Sequence, residues 1–265
     1  SRESSEEKSF ADAVYRPWEA LAMGMTGDFD RARALLLQYL RRQRPGKNTA
    51  AVRMLQSYLV HAFLDIRDAE GALEHLDSLL AGTGFAVCSI AAEVALARYH
   101  AVCGRSRTAW HILQRTLMKA NALGYRYVTP MPFFQELLYE LHVAGHPDIP
   151  GYACEAMLEQ NIAGPNLTLR HVALRLRASS MLEQGNLHGA IAVLKKCRAF
   201  FVVHGLVFEA AKTIVLLACA YLRDHDRRMA LRFVIEAWPA FDAHPGLRAL
   251  WPPELLSLLP AMPTS

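Results

Sequence analysis

The sequence predicts an all-α chain: a right-handed α-solenoid of about six antiparallel helix pairs, closed by a C-terminal cap. Three observations carry that expectation. A short turn recurs at Gly27, Arg67, Gly104, Gly145, Gly185 and His225, with spacings of 40, 37, 41, 40 and 40 residues. An alanine lies five residues after five of these turn starts, at Ala32, Ala72, Ala109, Ala190 and Ala230, and Pro150 replaces it in the fourth. The runs between turns repeat their apolar residues at helical spacing, as in 172 to 182, and strict alternation of the strand kind is absent.

Taken in order, residues 1–10 form a polar leader, 11–240 a single repeat domain, and 241–265 a capping segment and tail. Seven residues before each turn start lies a second candidate contact point: Ala20, Val60, Ala97, Leu138, Ala178 and Ala218. Small side chains there let two antiparallel helices approach closely. Glycines after apolar runs, at Gly124, Gly145 and Gly185, read as helix stops. Pro45, Pro130, Pro132, Pro147, Pro150 and Pro165 cluster between runs. The fourth pair is the irregular one, since 146–151 replaces the compact turn and the helix after it is short. The pattern is expected to stop at Pro239, and Leu247 to Leu259 suits a cap over the last apolar face.

Composition narrows the class. With 265 residues, 52% hydrophobic and 20% charged, the chain has enough apolar material to fold without metals or disulfides. Its five cysteines (Cys88, Cys103, Cys154, Cys197 and Cys219) are scattered through helical stretches and read as small buried hydrophobes in a reduced compartment. The formal charge of +4 is spread along the chain. Its densest basic stretch, from Arg31 to Lys47, reads as a solvated helix face, so no direct nucleic-acid binding is expected. The most apolar window, Thr213 to Leu222, is about half a bilayer span, and no secretory core follows the polar start. A cytoplasmic protein with no membrane partner is expected. A chain that opens on Ser1 instead of Met also reads as a piece of something longer.

Gly-Asp-Phe-x-x-Ala at Gly27, Gly-Asn-Leu-x-x-Ala at Gly185 and the Ala-x-x-Tyr phrases resemble tetratricopeptide repeats. That repeat is 34 residues long, and the longer period here, with the phrase from Ala178 to Leu194, is similar to the repeat region of MalT-like bacterial transcriptional regulators. The resemblance covers roughly 11 to 240 and implies a sensory and docking region, preceded in that family by an ATPase module and followed by a helix-turn-helix. Neither module is recognisable in this chain.

Motifs for catalysis are missing. The only Gly-Lys pair, Gly46 and Lys47, lacks the preceding glycine and following hydroxyl of a phosphate loop, and neither H-E-x-x-H nor G-x-S-x-G occurs. His142 and His146 have helical spacing, but Gly145 and Pro147 break the helix that would aim both at one metal. Glu136 and Glu140, one turn apart, read as a solvated face. No cofactor, metal or catalytic residue is therefore expected.

In stacked pairs the first helix of each repeat lines the concave side, and aligning the turns gives the candidates for partner or ligand contact. They are Tyr58, His61 and Asp65 in the second pair, Arg98 in the third, Gln135, Glu136, Tyr139 and His142 in the fourth, Arg175 in the fifth, and Lys212 and Arg223 in the sixth. Aromatic and hydrogen-bonding groups in this mixture suit a protein or peptide, or a small polar ligand. The tetratricopeptide carboxylate clamp does not transfer, because Ser57 and His61, Val94 and Arg98, and Arg175 and Ser179 occupy its places. The expected function is the sensory or docking part of a larger bacterial transcriptional regulator, with a freestanding scaffold for a multiprotein complex as the alternative.

Overall fold

A computed structural model describes residues 17–42, 50–82, 86–124, 136–138, 140–141, 159 and 162–258. The architecture is all-α, and no strand occurs among the described residues. The chain divides into two compact units, Ser1–Val128 and Thr129–Ser265.

The first unit holds α1 (17–26), α2 (Phe29–Arg42), α3 (Ala50–Asp65), α4 (Ala69–Ala81), α5 (Ala86–Val102) and α6 (Ser106–Ala122). From α2 onward, each helix packs on its sequence neighbours, and α3 also meets α5. The second unit has helical residues at 136–138 and 140–141, then α7 (Leu167–Glu183), α8 (Leu187–Val203), α9 (Val207–Arg223), α10 (Arg227–Asp242), a 3-10 turn η1 (Pro245–Leu250) and a single turn α11 (Pro253–Leu256). There α7, α8, α9 and α10 pack in sequence, and α7 also meets α9. Odd-numbered helices up to α9 that open a hairpin are called first helices below, along with the 136–141 segment.

The recurring turn has one physical form. Gly27, Arg67, Gly104, Gly185 and His225 all adopt left-handed φ, at 92°, 66°, 74°, 78° and 62°. Each closes the preceding helix with paired bonds back onto its last turn: in the fifth pair the Gly185 amide donates to Leu182 O (3.1 Å) and the Asn186 amide to Met181 O (2.9 Å). The next residue then starts the second helix. Asp68, Asn186 and Asp226 accept the amides of Gly71, Gly189 and Met229 as N-caps. One tetrapeptide therefore stops a helix and starts the next, and glycine fits because it alone enters the left-handed region without penalty.

The alanine positions explain why these hairpins close. Ala32, Ala72, Ala109, Ala190 and Ala230 are all buried, as are their expected counterparts Ala20, Val60, Ala97, Leu138, Ala178 and Ala218. Val60 and Ala72 belong to one core cluster with Leu64, Leu76 and Leu79. In two hairpins a glycine precedes the alanine. A Cβ on Gly71 would come within 2.7 Å of Phe63, and one on Gly189 within 2.5 Å of Met181 Cε, so the two helices are too close there for a larger residue without movement.

α10 runs through Pro239 and ends at Asp242, just past the point where the repeat pattern is expected to stop. Pro239 is exposed, and the residue four before it, Ile235, is 59% exposed, so the carbonyl deprived of its amide partner lies on a wet face. Cys88, Cys197 and Cys219 are buried as expected, but Cys103 sits exposed in the turn after α5. Beyond α10, Leu247, Leu250, Leu255 and Leu258 are buried, and Trp251 rests on Trp238 and Phe241 at 5.7 and 5.3 Å. Leader residues 1–10, Cys154 and the turn at Gly145 lie outside the described residues.

Candidate functional site

Polar residues on the first helices gather into one cluster in each unit. In the first unit, Arg53, Ser57, His61 and Asp65 follow one another at four-residue spacing along α3, which places them on one helix face. Arg98 of α5 reaches the far end of that row. Its Nη2 donates to Asp65 Oδ1 (2.6 Å), and its Nη1 lies 3.3 Å from both His61 Nδ1 and the His61 carbonyl oxygen. Since a guanidinium can only donate, Nδ1 of His61 acts as acceptor and the imidazole is neutral. Burial holds the His61 pKa well below the usual histidine value, and the nearby Arg98 charge pushes it the same way. At the other end Arg53 Nη2 donates to Leu79 O (3.3 Å) in the last turn of α4, where a cation favourably meets the helix C-terminus. Tyr58 is buried beside this row, and burial raises its phenol to about 12.

The second unit brings four charged side chains together. Arg175 of α7 donates through Nη1 to Glu209 Oε2 (2.7 Å) and to the Glu209 carbonyl (3.1 Å). Lys212, one turn along α9 from Glu209, donates to Glu209 Oε1 and to Glu136 Oε1, each at 2.7 Å. Arg175 Nη2 completes the set at 4.0 Å from Glu136 Oε1. Two cations thus meet two carboxylates, and their side chains are only 0% (Arg175), 1% (Lys212), 2% (Glu209) and 15% (Glu136) exposed. Aromatic faces complete the enclosure: the Arg175 guanidinium lies 5.7 Å from the Phe201 ring centre and Lys212 Nζ 5.1 Å from that of Phe208. Charges buried this deeply are tolerated only when paired, and the pairing crosses three first-helix segments.

The candidate residues therefore fall into three groups. His61, Asp65 and Arg98 come together in one unit, with Tyr58 alongside, and Glu136, Arg175 and Lys212 come together in the other. Arg223 joins neither cluster; it is 36% exposed by side chain and bridges Glu183 (2.9 Å) and Glu254 (3.3 Å). Gln135, Tyr139 and His142 lie outside the described residues. Tyr58, His61, Arg98, Arg175 and Lys212, chosen as contact points on an open face, are buried between helices. Glu140, read as part of a solvated face with Glu136, is buried as well. Glu209 was not among the candidates although both cations of the second cluster use it; its i, i+3 spacing to Lys212 was the available signal.

Neither cluster resembles a set for acid-base or nucleophilic chemistry. Burial raises the thiols of Cys88 and Cys219 and lifts Cys197 to about 11, which keeps them protonated and unreactive. Among the described residues no group of three or more His, Cys, Asp or Glu side chains could hold a metal ion, and no helix is long and apolar enough to cross a membrane.

Fold and clusters together define an all-α protein of sequentially packed helices whose first helices are cross-linked by buried polar groups. No protein-family model matches the chain, and no curated protein matches it in sequence.

Proposed function

We propose that the chain is a partner- or ligand-binding repeat domain, a right-handed tetratricopeptide-like solenoid with a period near 40, acting as the sensory or docking part of a larger bacterial transcriptional regulator. The observation that carries this reading is the repeated turn, with left-handed φ at Gly27, Arg67, Gly104, Gly185 and His225 and a buried alanine five residues after each. Arrays of such units create extended surfaces suited to recognition, and no constellation among the described residues favours catalysis.

The buried clusters refine how binding would work. Because Arg98 and Arg175 each donate to a neighbouring first helix, they set the spacing of those helices, and a ligand is read by the groups at the margin: Asp65, with 22% of its side chain exposed, and Glu136, with 15%. A ligand that bids for Asp65 or Glu136 competes with Arg98 or Lys212 and shifts one first helix against the next, which is the differential contact a sensor needs. A thermal-shift screen of the chain with cationic and zwitterionic small molecules and short peptides tests this. The expected result is at least one stabilising compound whose effect is lost in Asp65→Asn or Glu136→Gln. Stabilisation that survives both substitutions overturns the assignment of these margins. A complete reading frame carrying neither an ATPase nor a DNA-binding module would remove the regulator reading and leave the scaffold.

A further inference from the structure

Two exposed helix faces carry the same pattern with opposite sign. On α4, Glu70, Leu73, Glu74, Asp77 and Leu80 form one stripe at three- and four-residue spacing, with Leu73 40% and Leu80 41% exposed. The helix contains no Lys or Arg, and among the described residues none of its three carboxylates has an ion-pair partner. On α10, Arg227, Arg228 and Arg232 are exposed around Leu231 (37%) and Ile235 (59%).

The basic face extends onto α8. Arg198 Nε donates to Glu236 Oε1 (3.0 Å), which holds α8 beside α10 and neutralises the one carboxylate in the middle of α10. One turn earlier on α8, Lys195 and Lys196 are exposed, and Lys195 Nζ lies 5.6 Å from the ring centre of Tyr221, itself stacked on Phe233 of α10. None of Lys195, Lys196, Arg227, Arg228 and Arg232 has an ion-pair partner among the described residues. Like charges one turn apart, as in Glu70 and Glu74 or Arg228 and Arg232, repel each other and destabilise the helix that carries them. Each stripe therefore lacks the counter-charge that the other supplies.

We infer that these faces are two halves of one interface: the acidic α4 face of one copy of the chain docks on the basic α8 and α10 face of a second copy. The dimensions agree. From Glu70 to Leu80 the stripe runs about 15 Å, and from Arg227 to Ile235 about 12 Å, at the helical rise. Leu73 and Leu80 then face Leu231 and Ile235, with the carboxylates and arginines paired alongside them, so the contact combines apolar and charged groups. A nucleic acid or an anionic membrane would use the basic face alone and leave the acidic stripe unexplained. Because each copy presents both halves, association requires no second kind of chain and grows with protein concentration. One helix against a pair of helices is a small contact, so it is weak and salt-sensitive. This association does not depend on what the first helices bind.

Sedimentation velocity on the whole chain tests it. The weight-average sedimentation coefficient is expected to rise with protein concentration at low ionic strength and to fall back to the monomer value at high ionic strength. Two charge-reversed variants, Glu70→Lys with Glu74→Lys and Arg228→Glu with Arg232→Glu, should each stay monomeric at low salt, while their equimolar mixture regains the faster component. Circular dichroism confirms that each is folded; should a double variant unfold, Glu74→Lys and Arg232→Glu as single changes make the same comparison. A wild-type chain that remains monomeric, association that survives high salt or either reversal, or a mixture that stays monomeric overturns the inference. So does a monomeric wild-type chain whose basic face binds duplex DNA or anionic vesicles.

Discussion

The two units answer the same structural need with different chemistry. Both set a cation from one first helix against an adjacent first helix, Arg98 of α5 onto α3 and Arg175 of α7 onto α9. In the first unit that cation meets the Asp65 carboxylate at the margin and a neutral imidazole inside. In the second it enters a set of four fully ionic groups, of which three are at most 2% exposed. The first arrangement can be relaxed by water at Asp65; the second has no such outlet at Glu209. Tolerance of a polar core thus depends less on how many charges are buried than on whether each can recover hydration when a partner leaves.

The largest expected consequence follows from removing one cation from each cluster. Arg175→Met leaves Glu209 buried with Lys212 as its only cation, and the cost should be about 3–5 kcal/mol. Arg98→Met removes one cation from Asp65, whose side chain is 22% exposed, and leaves a neutral His61, so about 1–3 kcal/mol is expected. Because two units need not unfold together, native-state hydrogen exchange read separately on α3 and on α9 is the suitable measure. Equal losses in the two units would break the contrast.

Acidification should separate the units next. His61 has a folded-state pKa below its unfolded value, so the unfolded chain binds the proton more readily, and stability falls as the pH drops below about 6.5 toward the folded value. His75 and His100, whose pKa values are lowered first by burial, add to the same slope in the same unit. His61→Gln keeps an acceptor for Arg98 without a titrating proton. It should flatten the pH dependence of exchange in α3 between roughly pH 6.5 and 5, and an unchanged slope would show that His61 is not its source.

The smallest effect should be common to both units. Arg67 and His225 occupy turn positions with φ of 66° and 62° that three other hairpins give to glycine. Arg67→Gly and His225→Gly should each raise stability by about 0.5–1 kcal/mol, relieving left-handed strain at some cost in unfolded-chain entropy. A gain in one unit alone would mean that the turn is not the same device in both.

Legibility in the sequence follows the range of the interaction. The turns were readable because a helix stop, an N-cap and a close-approach alanine are all local, which is why the five described turn starts coincide with the left-handed residues. Gly205 has left-handed φ too, at 68°, yet it joins α8 to α9 between pairs and was not read as part of the period. That α10 continues through Pro239 is not legible, because a proline's cost depends on whether its freed carbonyl meets water, and that is set by exposure. The polar residues of the first helices were found by alignment, but their burial was not, since a lone Arg175 looks the same whether it faces solvent or Glu209, thirty-four positions away. Only the packing of α7 on α9 distinguishes those cases.

In the second unit a buried charge network joins the first helices, which are not lined by free contact residues. The decisive measurement is a double-mutant cycle on Arg175→Met and Glu209→Gln, read by hydrogen exchange in α7 and α9. Strong non-additivity is expected, with the double variant losing far less than the sum of the two single losses because neither charge is left stranded. Additive losses, or single losses within about 0.5 kcal/mol of zero, as surface substitutions give, would contradict it.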